Sequence, residues 1–281
     1  MPNINNTTLK DKVIIITGAS RGIGREIAIS CAKEGAIVII AAKSAEPHPK
    51  LPGTIHTVAQ EIEDAGGRAV PIQLDVRDEK AIKKLCKSVA EEFGGIDVVV
   101  NNAGAISLTK VEDTSPVRYD LMQQINSRAV YAFAHYALPY LKQSDNPHIL
   151  SLSPPINMNI KWLKGYSPYT LSKYGMSLLS KGMAEEFKEY GIAVNTLWPQ
   201  TYIATAAIEF AVGNKDMLNY ARKPAIMADA TKVILSHPSQ NYTGLWLIDE
   251  EVLKAAGEKD FTKYAYNPEY AHQIKKDLFL D

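Results

Sequence analysis

Tyr169 and Lys173, in the run Pro168-Tyr169-Thr170-Leu171-Ser172-Lys173, are the residues whose types and spacing point most directly to chemistry. Four residues apart on a helix, two side chains share a face one turn from each other. A phenol has a reference pKa of about 10, and an ammonium held beside it favours the phenolate. Such a pair suits proton exchange with a substrate oxygen. Taken alone, the same spacing also arises on any solvated helix face. It gains meaning from Thr17-Gly18-Ala19-Ser20-Arg21-Gly22-Ile23-Gly24 far upstream. Glycines at 18, 22 and 24 let a backbone turn sharply and approach a pyrophosphate, which a helix N-terminus stabilises. Ser20, Arg21 and Ile23 lie within that loop and are candidate nucleotide contacts. A nucleotide loop followed by a proton-transfer pair is the order an alcohol or carbonyl oxidoreductase needs.

The elements that must position these residues alternate regularly. Val13-Ile14-Ile15-Ile16-Thr17 is a β-branched run suited to a parallel strand buried on both faces. Residues 22–33 then read as a helix with Ile23, Ile27 and Cys31 on one side, ending at Gly35. Further strands are expected at 37–40, 69–74, 97–100, 148–152, 193–197 and 244–248. Helices are expected at 57–64, 78–93, 117–136, 167–190 and 228–235. This succession predicts an α/β fold, a Rossmann-type doubly wound parallel sheet in one domain over residues 1–254. Three stretches break the rhythm. Residues 43–53 contain three prolines and lengthen the second strand-to-helix connection. Residues 201–224 form a long connection suited to a substrate loop or lid. Residues 255–281 are polar and tyrosine-rich, without periodicity, and read as a tail packing on the domain or on a partner subunit.

Composition excludes several classes. Of 281 residues, 46% are apolar and 22% charged, and 31 basic residues balance 31 acidic ones. With no basic block, nucleic-acid binding has no support. The apolar run 36–42 is too short to cross a bilayer, and the polar start lacks the apolar region of a secretory signal. Cys31 and Cys86 lack the clustering of metal sites or disulfide frameworks, so no metal and a reducing, cytoplasmic setting are expected.

With these motifs in hand, the chain resembles the short-chain dehydrogenase/reductase family over residues 9–249. Gly18-x-x-x-Gly22-x-Gly24, Asn101-Asn102-Ala103-Gly104 after the fourth strand, and Tyr169-x-x-x-Lys173 match three family motifs in order. The resemblance implies about seven parallel strands, bound NAD(H) or NADP(H), a small-molecule substrate, and a homodimer or homotetramer. It places Asp75 and Val76 at the adenine and Asn102, Ala103 and Gly104 along the adenosine. A helix N-cap is the other reading of Asp75. Asn126 matches the family's helix asparagine, which holds a proton-relay water; the alternative is a polar group bonded within the fold. Lys173 would also bind the nicotinamide ribose, and Pro199, Thr201 and Ile203 would approach the carboxamide. More narrowly, residues 41–51, Ser153-Pro154-Pro155 and Leu197-Trp198-Pro199 are similar to the hydroxysteroid dehydrogenase-like branch. Members of that branch can add a sterol-carrier-like domain, which is not expected within these 281 residues.

The second strand ends Ala41-Ala42-Lys43 with no carboxylate before Glu46, and Arg21 sits in the glycine loop. Two cations and no acid favour a ribose 2′-phosphate, hence NADP(H). One departure concerns the family's catalytic serine, since Pro154 falls at its usual position. Ser153, one residue earlier, either reaches the substrate oxygen or caps the turn. Gln200 stands where the family usually has glycine. Met158, Ile160, Trp162, Leu163, Ile208, Phe210 and Met217 either border an apolar substrate pocket or simply pack. The expectation is an NADP(H)-dependent dehydrogenase or reductase of a carbonyl or secondary alcohol. A cofactor-binding protein with little catalysis and a double-bond reductase are the alternatives.

Overall fold

In the computed structural model, which describes residues 7–49, 51–206, 208 and 215–281, the β-branched runs form the sheet as expected. Strands β1 (Val13–Thr17), β2 (Ile37–Ala42), β3 (Arg68–Gln73), β4 (Val98–Asn101), β5 (His148–Leu152), β6 (Ala193–Trp198) and β7 (Trp246–Ile248) lie in the order β3-β2-β1-β4-β5-β6-β7. All pairings are parallel. Pro71 is tolerated because β3 is an edge strand, where its missing N–H breaks no central ladder.

Both faces of the sheet are covered by helices, which is why its central strands are apolar throughout. Ile14, Ile16, Val38 and Ile40 pack under α1 (Gly22–Lys33), α2 (Ile55–Asp64) and α7 (Ala225–Leu235). Ile15, Ile39, Val99 and Ile149 point the other way. They meet α3 (Glu79–Phe93), α5 (Ala129–Leu141) and α6 (Ser167–Glu186). The long helix expected at 117–136 is a rod of three parts, α4 (Pro116–Gln123), a π turn (Gln124–Arg128) and α5. A short α8 (Asp249–Ala255) follows β7; its seven residues are too few to show a helical period in sequence.

The strand order reverses between β1 and β4, so their carboxyl ends open a crevice there. Residues 255–281 return across the fold and bring Phe279 into a third cluster with Met122, Tyr169, Tyr174, Trp198 and Ile248. No helix among the described residues is long and apolar enough to cross a membrane.

Candidate active site

The crevice at the β1/β4 reversal leads into one cleft of about 1190 Å³. That exceeds the roughly 300–1,000 Å³ usual for a single small ligand. Its nucleotide end is built by close backbone approach. Gly18 and Gly22 adopt φ of 66° and 57°, the left-handed region that favours glycine. A Cβ on Gly18 would lie 2.8 Å from the Ala103 Cα, and one on Gly24 would lie 2.4 Å from the Asn102 Nδ2. Asn102 fastens the two loops, donating from Nδ2 to the Thr17 and Gly18 carbonyls at 2.8 and 3.1 Å. The Thr17 hydroxyl accepts from the Asn102 and Ala103 N–H groups, both at 3.0 Å. No side chain caps the start of α1, which leaves its first N–H groups free to meet an anion. Ser20, Ile23, Val76, Ala103 and Gly104 line this end of the cleft, as expected.

The charges at the rim are arranged differently from the sequence expectation. Arg21 donates from Nε and Nη2 to the Pro52 and Gly53 carbonyls, both at 2.9 Å, so it clasps the long 43–53 connection. Lys43 is exposed and lies 3.7 Å from Asp75. Asp75 does not cap a helix; Asp78 does, accepting from the Ala81 N–H. Asp75 instead accepts from Arg77, whose guanidinium holds its carboxyl down at about 2. Arg77 and Ser44 also line the cleft, contacts that the motif pattern did not reveal.

At the other end α6 carries Tyr169 and Lys173 into the cleft wall, both buried. Lys173 donates from Nζ to the Leu152 carbonyl at 2.6 Å and lies 5.1 Å from the Trp198 ring centroid. Burial lowers its pKa to about 7, opposed by the charge of Asp277. Tyr169 moves against expectation. Burial, followed by Asp277, raises its pKa, so the phenol holds its proton rather than sitting as phenolate beside an ammonium.

Asn126 sits in the π turn, a local widening often found at functional sites. Its Nδ2 donates to the Ala105 carbonyl at 3.0 Å and to the Ser172 hydroxyl at 2.8 Å, while Oδ1 accepts from the Ala105 N–H. Both Nδ2 hydrogens are thus used within the fold, and Oδ1 keeps a second lone pair.

Ser153 needs correction. It is fully buried and absent from the cleft wall. Its hydroxyl donates to the Lys173 carbonyl at 2.7 Å and lies 2.6 Å from the Ser177 hydroxyl, so it ties β5 to α6. Ser153→Ala is expected to destabilise the fold by about 1–3 kcal/mol, the penalty of leaving buried partners unsatisfied, with turnover within a few-fold of wild type. Thermal unfolding and NADPH oxidation check this; a loss of about 10²–10³ in turnover would return Ser153 to the reacting oxygen.

Pro199 and Ile203 line the cleft, but Thr201 does not; it pairs with Lys276 in an isolated antiparallel bridge. Of the apolar candidates, Ile208 lines the cleft. Met158 and Ile160 are exposed at 70% and 68%, Trp162 packs on Phe279, and Leu163 and Met217 lie off the wall. Phe210 lies outside the described residues. Sequence reading missed Tyr202, Asp277 and Leu278, which complete the wall beside Trp198. Tyr202 lay in the 201–224 connection read as a substrate loop, and the trace of Asp277 and Leu278 was an acid preceding the apolar pair Leu278 and Phe279 within a tail of no clear period.

The family model described as short chain dehydrogenase matches residues 12–211. Hydroxysteroid dehydrogenase-like protein 2 of Danio rerio is 51% identical over 277 residues, covering 99% of this chain and 66% of that protein. The chain thus spans just under two thirds of that relative's length. A crystal structure described as a dehydrogenase from Xanthomonas campestris superposes with a TM-score of 0.93 at 46% identity, covering 98% of this chain and 100% of that one. A metagenomic short-chain oxidoreductase solved in complex with NADP gives a TM-score of 0.71 at 26% identity, over 86% and 98% of the two chains.

Proposed function

The chain belongs to the short-chain dehydrogenase family, and on that premise we propose that it is an NADP(H)-dependent oxidoreductase of a carbonyl or secondary alcohol. The observation that carries this reading is a single cleft with a glycine cradle at one end and Tyr169 and Lys173 at the other. The nicotinamide supplies hydride chemistry when bound. Gly18, Gly22, Gly24 and the start of α1 would hold the pyrophosphate. Asp75, Val76, Asn102, Ala103 and Gly104 would border the adenosine, and Pro199 and Ile203 the carboxamide. Tyr169, keeping its proton, donates it to the substrate oxygen in reduction and recovers it in oxidation. Lys173 would bind the ribose hydroxyls, and its charge stabilises the oxygen of Tyr169 as the proton leaves. Ile106, Leu108, Leu121, Ile125 and Leu278 line the cleft, which favours an apolar or lipid-derived substrate.

A homodimer or homotetramer belongs to the same reading, with a second copy covering the exposed Leu171 and Leu178 of α6. NADPH oxidation across a panel of carbonyls, with product analysis, tests the activity. Binding without turnover would leave a cofactor-binding protein, and a saturated product with its carbonyl intact would make it a double-bond reductase.

For the cofactor, NADPH is expected to bind more tightly than NADH. Lys43 follows β2 and Arg77 follows β3, two cations to the one acid Asp75, and the relative at 26% identity was solved with NADP. A charge-assisted bond to phosphate contributes about 1.5–3 kcal/mol, so Lys43→Ala should weaken NADPH about tenfold or more and NADH little. Arg21→Ala should weaken both, because it also frees the clasped connection at Pro52 and Gly53. Titration of the wild type and both variants with each cofactor decides it; equal wild-type affinities would defeat the NADP(H) preference.

A further inference from the structure

Residues 275–281 form a strap over the hydride-transfer end of the cleft. The Tyr202 N–H donates to the Lys275 carbonyl at 3.0 Å, and the Asp277 N–H donates to the Gln200 carbonyl at 3.2 Å. Trp198 Nε1 donates to the Leu278 carbonyl at 3.0 Å, and Asn157 Nδ2 to the Phe279 carbonyl at 3.1 Å. Phe279 is fully buried and takes φ of 71°, a conformation unusual for a non-glycine residue. Its ring lies 5.4–6.2 Å from those of Tyr174, Trp198, Trp162 and Tyr169. A strained backbone held in place by four aromatic neighbours marks a segment whose position is over-determined.

What this anchoring fixes is the carboxylate of Asp277. It lines the same wall as Tyr169, Lys173, Trp198 and Tyr202. Its Oδ1 accepts from the Leu278 N–H at 2.6 Å; among the described residues, Oδ2 accepts no hydrogen bond and Asp277 makes no ion pair. The Lys173 ammonium, the cation of this wall, is directed to the Leu152 carbonyl. A half-buried carboxylate that makes no ion pair and keeps one oxygen open to the cleft has capacity for a further donor. Burial accordingly raises its pKa to about 7.

We propose that Asp277 is a specificity-determining residue whose free oxygen accepts a hydrogen bond from a hydroxyl carried by the substrate close to its reacting carbon. This rests on the oxidoreductase reading and narrows it to hydroxy ketones and the corresponding diols. An ammonium would meet the charge of Lys173, and an anionic group would meet Asp277 itself. A hydroxyl offers the missing donor and carries no charge.

The test compares paired substrates, a medium-chain 2-alkanone and the matching 1-hydroxy-2-alkanone, with the full chain and NADPH. A site built to bond a hydroxyl rejects the analogue lacking it strongly, so wild type should favour the hydroxy ketone in kcat/KM by about 10²-fold or more. In Asp277→Leu that ratio should fall to near unity, and in Asp277→Asn by about tenfold, because the amide oxygen still accepts without charge. Thermal unfolding and NADPH titration report whether each variant is folded. Should the leucine variant fail to fold, the asparagine variant decides, and an unchanged ratio there overturns the proposal. Equal wild-type kcat/KM for the two ketones, or a parallel loss on both in Asp277→Leu, overturns it while leaving the oxidoreductase reading intact. Turnover of neither ketone nor any other carbonyl or alcohol removes the oxidoreductase reading, and this inference with it.

Discussion

Tyr169→Phe is expected to lower turnover by roughly 10²-fold or more with NADPH affinity unchanged, the scale of a lost general acid. The change is a clean one here. The Tyr169 ring is buried and lies 6.2 Å from that of Phe279, and phenylalanine keeps the packing while removing only the hydroxyl. Because burial raises the phenol's pKa, the proton is present at neutral pH. Reduction, which consumes that proton, keeps its donor through neutral pH and should decline as Lys173 loses its charge near pH 7, whereas oxidation needs the phenol's proton gone. Near wild-type turnover in a folded Tyr169→Phe protein would remove the residue from the reaction.

Phe279→Ala carries the largest expected effect on stability. Deleting a fully buried phenylalanine ring typically costs about 3–5 kcal/mol, transfer and cavity together. For a chain of this size that lowers the thermal midpoint on the order of 10 °C. The cavity would open against Tyr169 and Trp198, so turnover should fall as well. A midpoint within about 2 °C of wild type would mean that the strap does not dock as described.

Sequence legibility followed the range of the interactions. The glycine loop and the Tyr169–Lys173 pair were readable because each is a local spacing on one element, and the β-branched strands because burial on both faces demands them. Pairings across the fold were not readable. The direction of the Ser153 hydroxyl depends on how α6 packs on β5, and nothing in Ser153-Pro154-Pro155 encodes that. The tyrosine–lysine spacing suggested a lowered phenol pKa, but burial and Asp277 raise it, and both come from tertiary structure. The cap at Asp78 and the pairing of Asp75 with Arg77 turn on a three-residue difference that pattern reading does not resolve. Asp277 and Phe279 lie in a stretch with no period, since a strap that follows neighbouring chain has neither helical nor strand alternation.

The strap also bears on how the molecule acquires its working form. The bonds from Trp198 to Leu278 and from Asn157 to Phe279 join residues 80 and 122 positions apart. Contacts of such range are made only after long loops close, which places them late in folding, behind the local helices. Interactions that form late act mainly on the unfolding rate. A lesion in the strap therefore shortens the lifetime of the finished site rather than delaying its assembly.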